Sequence, residues 1–235
     1  MKCVILAAGE GMRMRPLTLE TPKPMLAIDG RPILEHLIDS LPGEIDEVIV
    51  VVGYLRHQIQ SYFGSRYRDR RIEYAVQQKK EGTYRVLELC RPFLDDERFL
   101  LLYADDLHGR DGLRICVESG EYCMLVSAVS DPRRFGVVEV DGHGRILNIE
   151  EKPERPKSNL VLPGPIVLDK TIFHYGARPH ANGEFYLTDS LAQMVEAGYP
   201  MFAVRSNFWL PINTPDDLAR ARAAIAPERV GQEVG

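Results

Sequence analysis

The chain has 235 residues, of which 45% are hydrophobic and 27% are charged, a composition typical of one globular domain and unlike that of disordered, collagenous or coiled-coil proteins. Its net charge is -5 and no block of lysine and arginine dominates, which argues against nucleic acids and anionic membranes as partners. No apolar run approaches the roughly 20 residues that span a bilayer, and the apolar start is too short for a signal peptide. We therefore expect a cytoplasmic protein.

Apolar strand-like runs alternate with helical patterns through the first half of the chain, which predicts βαβ units. The predicted elements are, in chain order, 2–7, 33–41, 47–52, 57–63, 72–76, 84–90 and 99–103. Crossover helices between nearly continuous apolar strands imply a mostly parallel sheet that is covered on both faces. In such sheets, ligands bind at the carboxyl ends of the strands.

From about Tyr122 the pattern changes to strand runs separated by turn residues, at 123–129, 136–140 and 145–149. This spacing predicts a mixed or antiparallel arrangement. Two helices are predicted near the end of the chain. The first follows a Thr188 cap and ends at Gly198, and the second begins at Thr214-Pro215 with acidic residues in its first turn.

Four cysteines are scattered along the chain without metal-binding spacing, at Cys3, Cys90, Cys116 and Cys123. Cys3 and Cys123 lie in apolar, strand-like runs. We expect reduced thiols in the core, because that role is commoner here than a disulfide or a metal ligand.

A long loop follows the first strand and combines glycines, basic side chains and prolines. It contains Gly9, Gly11, Arg13, Arg15 and Lys23. Glycine lets backbone N–H groups approach phosphate oxygens, whereas the third glycine of a dinucleotide fingerprint and the Gly-Lys-Ser/Thr of a P-loop are both missing. The pattern suits a triphosphate, although isolated basic residues in a surface turn are more often simply solvated.

Residues 5–32 closely resemble the nucleotide-sugar pyrophosphorylases, which are sugar-1-phosphate nucleotidyltransferases, in their G-x-G-x-R loop and downstream Pro-Lys. The resemblance continues in order from Lys2 to about Ala224. It implies an α/β, three-layer, Rossmann-like nucleotidyltransferase fold with a mixed, mostly parallel central sheet. One domain would cover residues 1–226, with a nucleotide-binding half at 1–121 and a sugar-binding half at 122–226, followed by a flexible tail at 227–235.

The resemblance implies a nucleotide-binding set in the first half of the chain. Arg13 and Lys23 would bind the triphosphate, and Gln77 would read a pyrimidine base, because its amide offers both a donor and an acceptor. This favours UTP or dTTP, although Tyr84-Arg85 stands where the family usually has a small residue. The remaining implied contacts of this set are Ala8, Gly9, Gly11, Gly82 and Thr83.

A magnesium site is implied by two segments. Tyr103-Ala104-Asp105-Asp106 resembles the family's Gly-Asp segment, and Asp105 matches its metal-binding aspartate. The segment from Trp209 to Pro215 resembles W-x-D-x-G-T-P, but Pro211 replaces the second metal aspartate and offers no ligand. Asn213 has an amide oxygen that suits Mg²⁺, or it only shapes the turn before Thr214.

The sugar-1-phosphate would bind residues of the second half of the chain. Gly136 and the pair Glu151-Lys152 match the family's acceptor segments, with Lys152 on the phosphate, although such an exposed pair is commonly just solvated. Glu184 lies in a stretch that resembles the N-acetylglucosamine-1-phosphate uridylyltransferases. Leu162 and Pro163 depart from the Asn-Thr that is common in the family.

The resemblance therefore implies a Mg²⁺-dependent enzyme that transfers a nucleotidyl group from a nucleoside triphosphate to a sugar-1-phosphate and releases pyrophosphate. Arg13, Lys23 and Asp105 would be its catalytic residues. Two alternatives stay open: a nucleotide-sugar sensor without turnover, and transfer to a non-sugar phosphate. The sequence does not specify the sugar or the base, and a homo-oligomer is compatible with it. Because hexapeptide repeats are missing, we expect no β-helical acyltransferase domain of the type found in some relatives.

Overall fold

The computed structural model describes residues 1–225. Its strands are β1 (Lys2–Leu6), β2 (Ala27–Ile28), β3 (Arg31–Pro32), β4 (Glu47–Val52), β5 (Arg66–Tyr67), β6 (Arg70–Val76), β7 (Phe99–Tyr103), β8 (Asp106–His108), β9 (Tyr122–Ala128), β10 (Gly136–Val140), β11 (Ile146–Glu151), β12 (Leu160–Val161), β13 (Ile166–Leu168), β14 (Met201–Arg205) and β15 (Trp209–Pro211). The α-helices are α1 (Ile33–Ser40), α2 (Arg56–Phe63), α3 (Thr83–Glu88), α4 (Arg110–Glu118), α5 (Leu187–Glu196) and α6 (Pro215–Ile225). The predicted domain boundary at 226 and the tail at 227–235 lie outside the described residues.

Eleven strands form one central sheet in the order β11-β10-β12-β9-β13-β7-β1-β4-β6-β5, with β14 also paired to β9. The strands β7, β1, β4 and β6 are parallel, and Cys3 of β1 lies between Val48 of β4 and Leu100 of β7. In this central sheet, more residues are paired between parallel strands than between antiparallel strands. The predicted mixed, mostly parallel sheet is confirmed.

Each face of this sheet carries its own hydrophobic core, because successive side chains of a strand point to opposite faces. Val4 and Leu101 belong to one core, which includes residues of α3 and α5. Cys3 and Leu100 belong to the other, which includes residues of α1, α2 and α4. Helices therefore cover both faces, and the α/β fold has the three layers that were predicted.

The second half of the sheet contains antiparallel pairs, as its turn-rich sequence predicts. Strand β13 lies between β7 and β9 and is antiparallel to both. Helix α4 and the short strands β8 and β12 to β15 were not predicted. Several of these strands have only two or three residues, too few to show an alternating pattern in the sequence.

The predicted cap at Thr188 is wrong, because this residue lies inside α5 rather than before it. The helix begins at Leu187, and Tyr186 is its N-cap residue. The amide of Leu187 donates to Oγ1 of Thr83, and the Thr188 hydroxyl donates to Glu151 Oε2. A distant threonine thus satisfies the helix start, which leaves Thr188 free to contact Glu151.

The predicted start of α6 is confirmed. The amide of Thr214 donates to Oδ2 of Asp217, and the amide of Asp217 donates to Oγ1 of Thr214. These reciprocal bonds form a capping box, which satisfies two helix-start donors at once. Asn213, just before this box, is held because its own amide also donates to Asp217.

The cysteines are buried and free, as predicted. The thiol of Cys123 lies 3.0 Å from Sγ of Cys116, and burial raises the pKa of the Cys90 thiol to about 12. Within residues 1–225, no helix has the length and apolarity needed to cross a membrane.

Candidate active site

The loop after β1 folds back on itself against Lys23. Gly11 has a φ of +61°, which favours glycine, and a Cβ at this position would lie only 3.0 Å from Cβ of Lys23. The hydroxyl of Thr18 donates to the carbonyl oxygen of Gly11 and closes the turn. Glycine is therefore required where the loop and the lysine approach each other.

Two basic side chains of this loop converge on Asp105 and Asn213. Lys23 Nζ lies 2.8 Å from Oδ2 of Asp105 and 3.3 Å from Oδ1 of Asn213. Arg13 donates to the same Asn213 oxygen at 2.8 Å. The loop, Asp105 and Asn213 therefore meet in the fold, although 82 to 200 residues separate the bonded partners in the sequence.

The fold places Asp105 and Asn213 together through the backbone. Asp105 follows β7, at the carboxyl end of the parallel strands. The amide of Ile212, just after β15, donates to the carbonyl oxygen of Asp105 at 2.9 Å. This bond fixes the segment that carries Asn213 beside the end of β7.

The loop after β1, residues 9–23, is called the glycine loop. It lines part of a cavity of about 590 Å³. This cavity is lined by the predicted residues Ala8, Gly9, Gly11, Arg13, Lys23, Gln77, Gly82, Thr83, Asp105 and Glu184, together with Glu10, Lys80, Tyr103 and Tyr186. All of the residues that the sequence assigns to the nucleotide are among them. Glu184 was grouped with the acceptor residues, but it lines this cavity and not the next one, because its segment is bonded to residues 81–84.

Backbone hydrogen bonds join residues 81–84 to Phe185 at the edge of this cavity. Phe185 donates to Glu81 and accepts from Tyr84, at 2.8 and 3.0 Å. A Cβ on Gly82, whose φ is +91°, would lie closer than 3.0 Å to three backbone atoms of Phe185. The contact requires glycine and links the two halves of the chain.

Glu10 and Lys80 form an ion pair of 2.6 Å, and both line the first cavity. One belongs to the glycine loop and the other to the loop after β6. The bond from Lys80 holds the pKa of Glu10 below its usual value. The two loops are thus in direct contact.

A second cavity of about 1000 Å³ adjoins the first. It is lined by the predicted residues Gly136, Glu151, Lys152 and Asn213, and also by Thr188, Arg134, Leu162, Pro163 and Pro211. Arg13, Thr83, Tyr103, Asp105 and Tyr186 line both cavities. The two cavities therefore meet beside Asp105.

Lys152 and Glu151 form a fixed pair at this second cavity. Lys152 Nζ lies 2.8 Å from Oε1 of Glu151 and 4.1 Å from the centre of the Tyr186 ring. Burial lowers the pKa of Lys152, but Glu151 and Tyr186 outweigh it and raise the pKa above its usual value. The ammonium stays charged at neutral pH and is oriented by its neighbours.

Two buried polar residues of β8 were missed by the sequence reading. Asp106 is 7% exposed and His108 is 5% exposed. Burial, followed by the charge of Asp105, raises the pKa of Asp106 well above its usual value. Burial lowers the pKa of His108 to about 3, and neither ring nitrogen has a hydrogen-bond partner. The one sequence signal for Asp106 is its adjacency to Asp105, and such aspartate pairs usually belong to turns. Nothing in the sequence signals His108.

The family model described as nucleotidyl transferase matches residues 2–228 of the chain. Among curated proteins, the chain is 33% identical to the bifunctional protein GlmU of Methanocaldococcus jannaschii, over 94% of the chain and 53% of the relative. The chain thus spans about half the length of this relative. It is 32% identical to the UTP–glucose-1-phosphate uridylyltransferase AglF of Haloferax volcanii, over 97% of the chain and 98% of that protein.

The fold also matches solved structures. A crystal structure from Bacillus anthracis, provisionally named a glucose-1-phosphate thymidylyltransferase and solved with sucrose, superposes with a TM-score of 0.84. The two chains are 29% identical, and the match covers 95% of this chain and 94% of the other.

Proposed function

Because the chain belongs to the nucleotidyl transferase family, we propose that it transfers a nucleotidyl group from a nucleoside triphosphate to a sugar-1-phosphate. The products are a nucleotide sugar and pyrophosphate. The names of AglF and of the Bacillus anthracis structure support a sugar-1-phosphate as the acceptor. We assign residues 1–121 mainly to the nucleotide and residues 122–226 mainly to the acceptor.

One observation carries this proposal: two cavities adjoin, and the residues that they share include Arg13 and Asp105. A reaction that joins two phosphates needs both substrates bound at once, with the reacting oxygen and phosphorus in contact. Holding two reactants in this way supplies about 7–11 kcal/mol of the barrier in well-oriented systems. The junction of the cavities is where the α-phosphate would meet the acceptor phosphate.

The residues at this junction fit a magnesium ion. Asp105 and Asn213 present carboxylate and amide oxygens, which are hard ligands of the kind that Mg²⁺ takes. The described part of the chain contains no cluster of three His, Cys, Asp or Glu side chains that would form a complete protein cage. Mg²⁺ needs only one or two protein ligands besides phosphates and water, and it would neutralise charge on the triphosphate.

The chain supplies positioning and charge rather than a nucleophile, because the acceptor phosphate is already ionised. Arg13 and Lys23 would bind triphosphate oxygens and stabilise the charge that develops on the leaving pyrophosphate. Lys152 would bind the acceptor phosphate, while Glu151, which Thr188 fixes, would accept hydrogen bonds from acceptor hydroxyls. Gln77 and the backbone at Gly82 and Thr83 favour a pyrimidine, hence UTP or dTTP.

The proposal is tested by incubating the purified chain and Mg²⁺ with each of five triphosphates and a panel of hexose-1-phosphates. Mass spectrometry of the products and a pyrophosphate assay are the readouts. We expect one or a few pairs to give a nucleotide sugar and equimolar pyrophosphate, with UTP or dTTP as the donor. Thermal shifts with triphosphates but no product with any pair would contradict the proposed turnover.

A further inference from the structure

Asp106 is a buried carboxylate that no cation of the described residues pairs with. It is 7% exposed, and it lines the second cavity next to Asp105. Within residues 1–225 no basic side chain forms an ion pair with it, and the ammonium of Lys23 is bonded to Asp105 instead. An isolated buried charge costs several kcal/mol, so a cation bound in this cavity would stabilise the ionised side chain of Asp106.

The strand pairing explains why the chain itself supplies no partner. Asp106 of β8 is directly opposite Pro211 of β15, so the two side chains lie on the same face of the strand pair; Cβ atoms of such pairs are in general about 4.5–5.5 Å apart. Proline has no donor. Leu107 lies on the other face and packs in a small third core, which leaves Asp106 facing the cavity. The indole of Trp209 lies near Asp106, but its Nε1 makes no hydrogen bond of ordinary geometry.

We propose that Asp106 is a second carboxylate ligand of the divalent cation that Asp105 binds. The inference rests on the proposed function, since it assumes that a cation accompanies the triphosphate at the junction of the cavities. Two adjacent carboxylates would balance the double charge of the ion, and the amide oxygen of Asn213 is a third hard donor beside them. The bound cation would then supply a counter-charge for the buried carboxylate of Asp106.

The direct test is the affinity for Mn²⁺, measured by electron paramagnetic resonance with a non-hydrolysable α,β-methylene triphosphate present. Asp106→Asn keeps the shape of the side chain and removes its charge, and we expect it to weaken Mn²⁺ binding by about tenfold or more. Asp216→Asn is the matched control, because Asp216 is exposed in the first turn of α6 and lines neither cavity. We expect this control to bind Mn²⁺ like the original chain.

A second pair of variants tests the geometry of the strand pair. In Asp106→Asn/Pro211→Asp the carboxylate moves across to the opposite strand, and we expect Mn²⁺ affinity to return to within about threefold of the original. Pro211→Asp alone adds a carboxylate beside Asp106, and we expect tighter Mn²⁺ binding. If Asp106→Asn fails to fold, Asp106→Ala replaces it, because it removes the carboxylate without burying a new polar group, and we expect the same loss of Mn²⁺ affinity.

An unchanged Mn²⁺ affinity in folded Asp106→Asn, with weaker binding in Asp105→Asn, would overturn the role of Asp106 and leave the proposed function standing. An unchanged Mn²⁺ affinity in folded Asp106→Ala would also overturn it. Failure of the proposed function has a different signature, in which the original chain binds Mn²⁺ through both carboxylates but forms no nucleotide sugar.

Discussion

The ammonium of Lys23 lies 2.8 Å from a carboxylate oxygen of Asp105, although 82 residues separate the two in the chain. The Lys23 side chain is only 9% exposed, because Gly11 lets the loop close over it. Its charge is therefore positioned before a substrate binds. Groups that are oriented in advance stabilise developing charge without reorganising during the reaction.

The first prediction concerns the basic residues of the glycine loop. Arg13→Ala and Lys23→Met are each expected to lower kcat by about 10²–10³, because each removes a charge that, in the proposed mechanism, stabilises the triphosphate in the transition state. Asp105→Ala is expected to cause a loss of the same size. Steady-state release of pyrophosphate is the measurement.

Arg15→Ala is the matched control for this series. Arg15 belongs to the same loop but lines neither cavity, and its side chain is half exposed. We expect its kcat to stay within about threefold of the original, as for other exposed charges. Turnover near the original level in both Arg13→Ala and Lys23→Met would rule out the assigned roles.

The second prediction concerns the contact between Gly82 and Phe185. Gly82→Ala is expected to destabilise the fold by about 2 kcal/mol or more, since the new Cβ meets the Phe185 backbone in addition to the strain of a positive φ. Gly183→Ala provides the comparison, because Gly183 also has a positive φ but nothing within 4 Å of its Cβ position. Denaturant unfolding measures both, and equal losses would show that the Phe185 contact contributes nothing.

Much of the fold was predictable because buried strands have a strong signature. Strand β4 is a continuous apolar run after Glu47 and is buried along its whole length, so its sequence pattern and its position agree. Helix α6 was recognisable from the Thr214-Pro215 start, which is a local signal. The cap at Thr188 was misjudged because a non-local residue, Thr83, satisfies the start of α5.

The candidate site was predictable as a set of residues but not as an arrangement. The resemblance gave Arg13, Lys23 and Asp105, and the structure brings them together. The pairing of Asp106 with Pro211 depends on two short strands that are about 100 residues apart and that have no periodic pattern. The contact between Glu10 and Lys80 joins two loops, which local sequence signals do not predict.

The third prediction uses the Glu10–Lys80 pair at the first cavity. Lys80→Ala removes a positive charge from the cavity to which we assign the triphosphate, and we expect the KM for the triphosphate to rise about threefold to tenfold with kcat little changed. Glu10→Gln removes the opposite charge and should lower this KM. Lys79→Ala is the control, because Lys79 does not line the first cavity.

Salt separates this effect from a structural one. Both side chains are partly exposed, so salt should screen their charges. Between 0.05 and 0.5 M NaCl the Debye length falls roughly threefold, and the difference in KM between Lys80→Ala and Glu10→Gln should shrink accordingly. If the KM for the triphosphate rose in both variants, or fell in both, an electrostatic role of the pair would be contradicted.

The fourth prediction concerns the pH dependence of stability. Burial raises the pKa of Asp169, but hydrogen bonds from the side chain and backbone of Thr171 and from the hydroxyl of Tyr122 outweigh it and hold the pKa below its usual value. The ionised side chain of Asp169 therefore stabilises the folded state above the unfolded pKa of about 3.9, and this stabilisation is lost as the pH falls through the lower pKa of the folded state.

Asp169→Asn is accordingly expected to lower the free energy of unfolding by about 1 kcal/mol at pH 7 and by much less near pH 3. Asp96→Asn, at a fully exposed carboxylate nearby, should cost little at either pH. Urea unfolding at both pH values measures the difference. An equal cost of Asp169→Asn at pH 7 and pH 3 would show that its charge contributes nothing.

The most direct test of the whole account follows oxygen atoms through the reaction. The acceptor is a sugar-1-phosphate that carries ¹⁸O at its non-bridging phosphate oxygens, incubated with the accepted triphosphate and the purified chain. Attack of the acceptor phosphate on the α-phosphorus predicts that mass spectrometry finds all of the label in the nucleotide sugar and none in the pyrophosphate. Label in the released pyrophosphate, or no labelled nucleotide sugar at all, would contradict the proposed meeting of two bound phosphates beside Asp105.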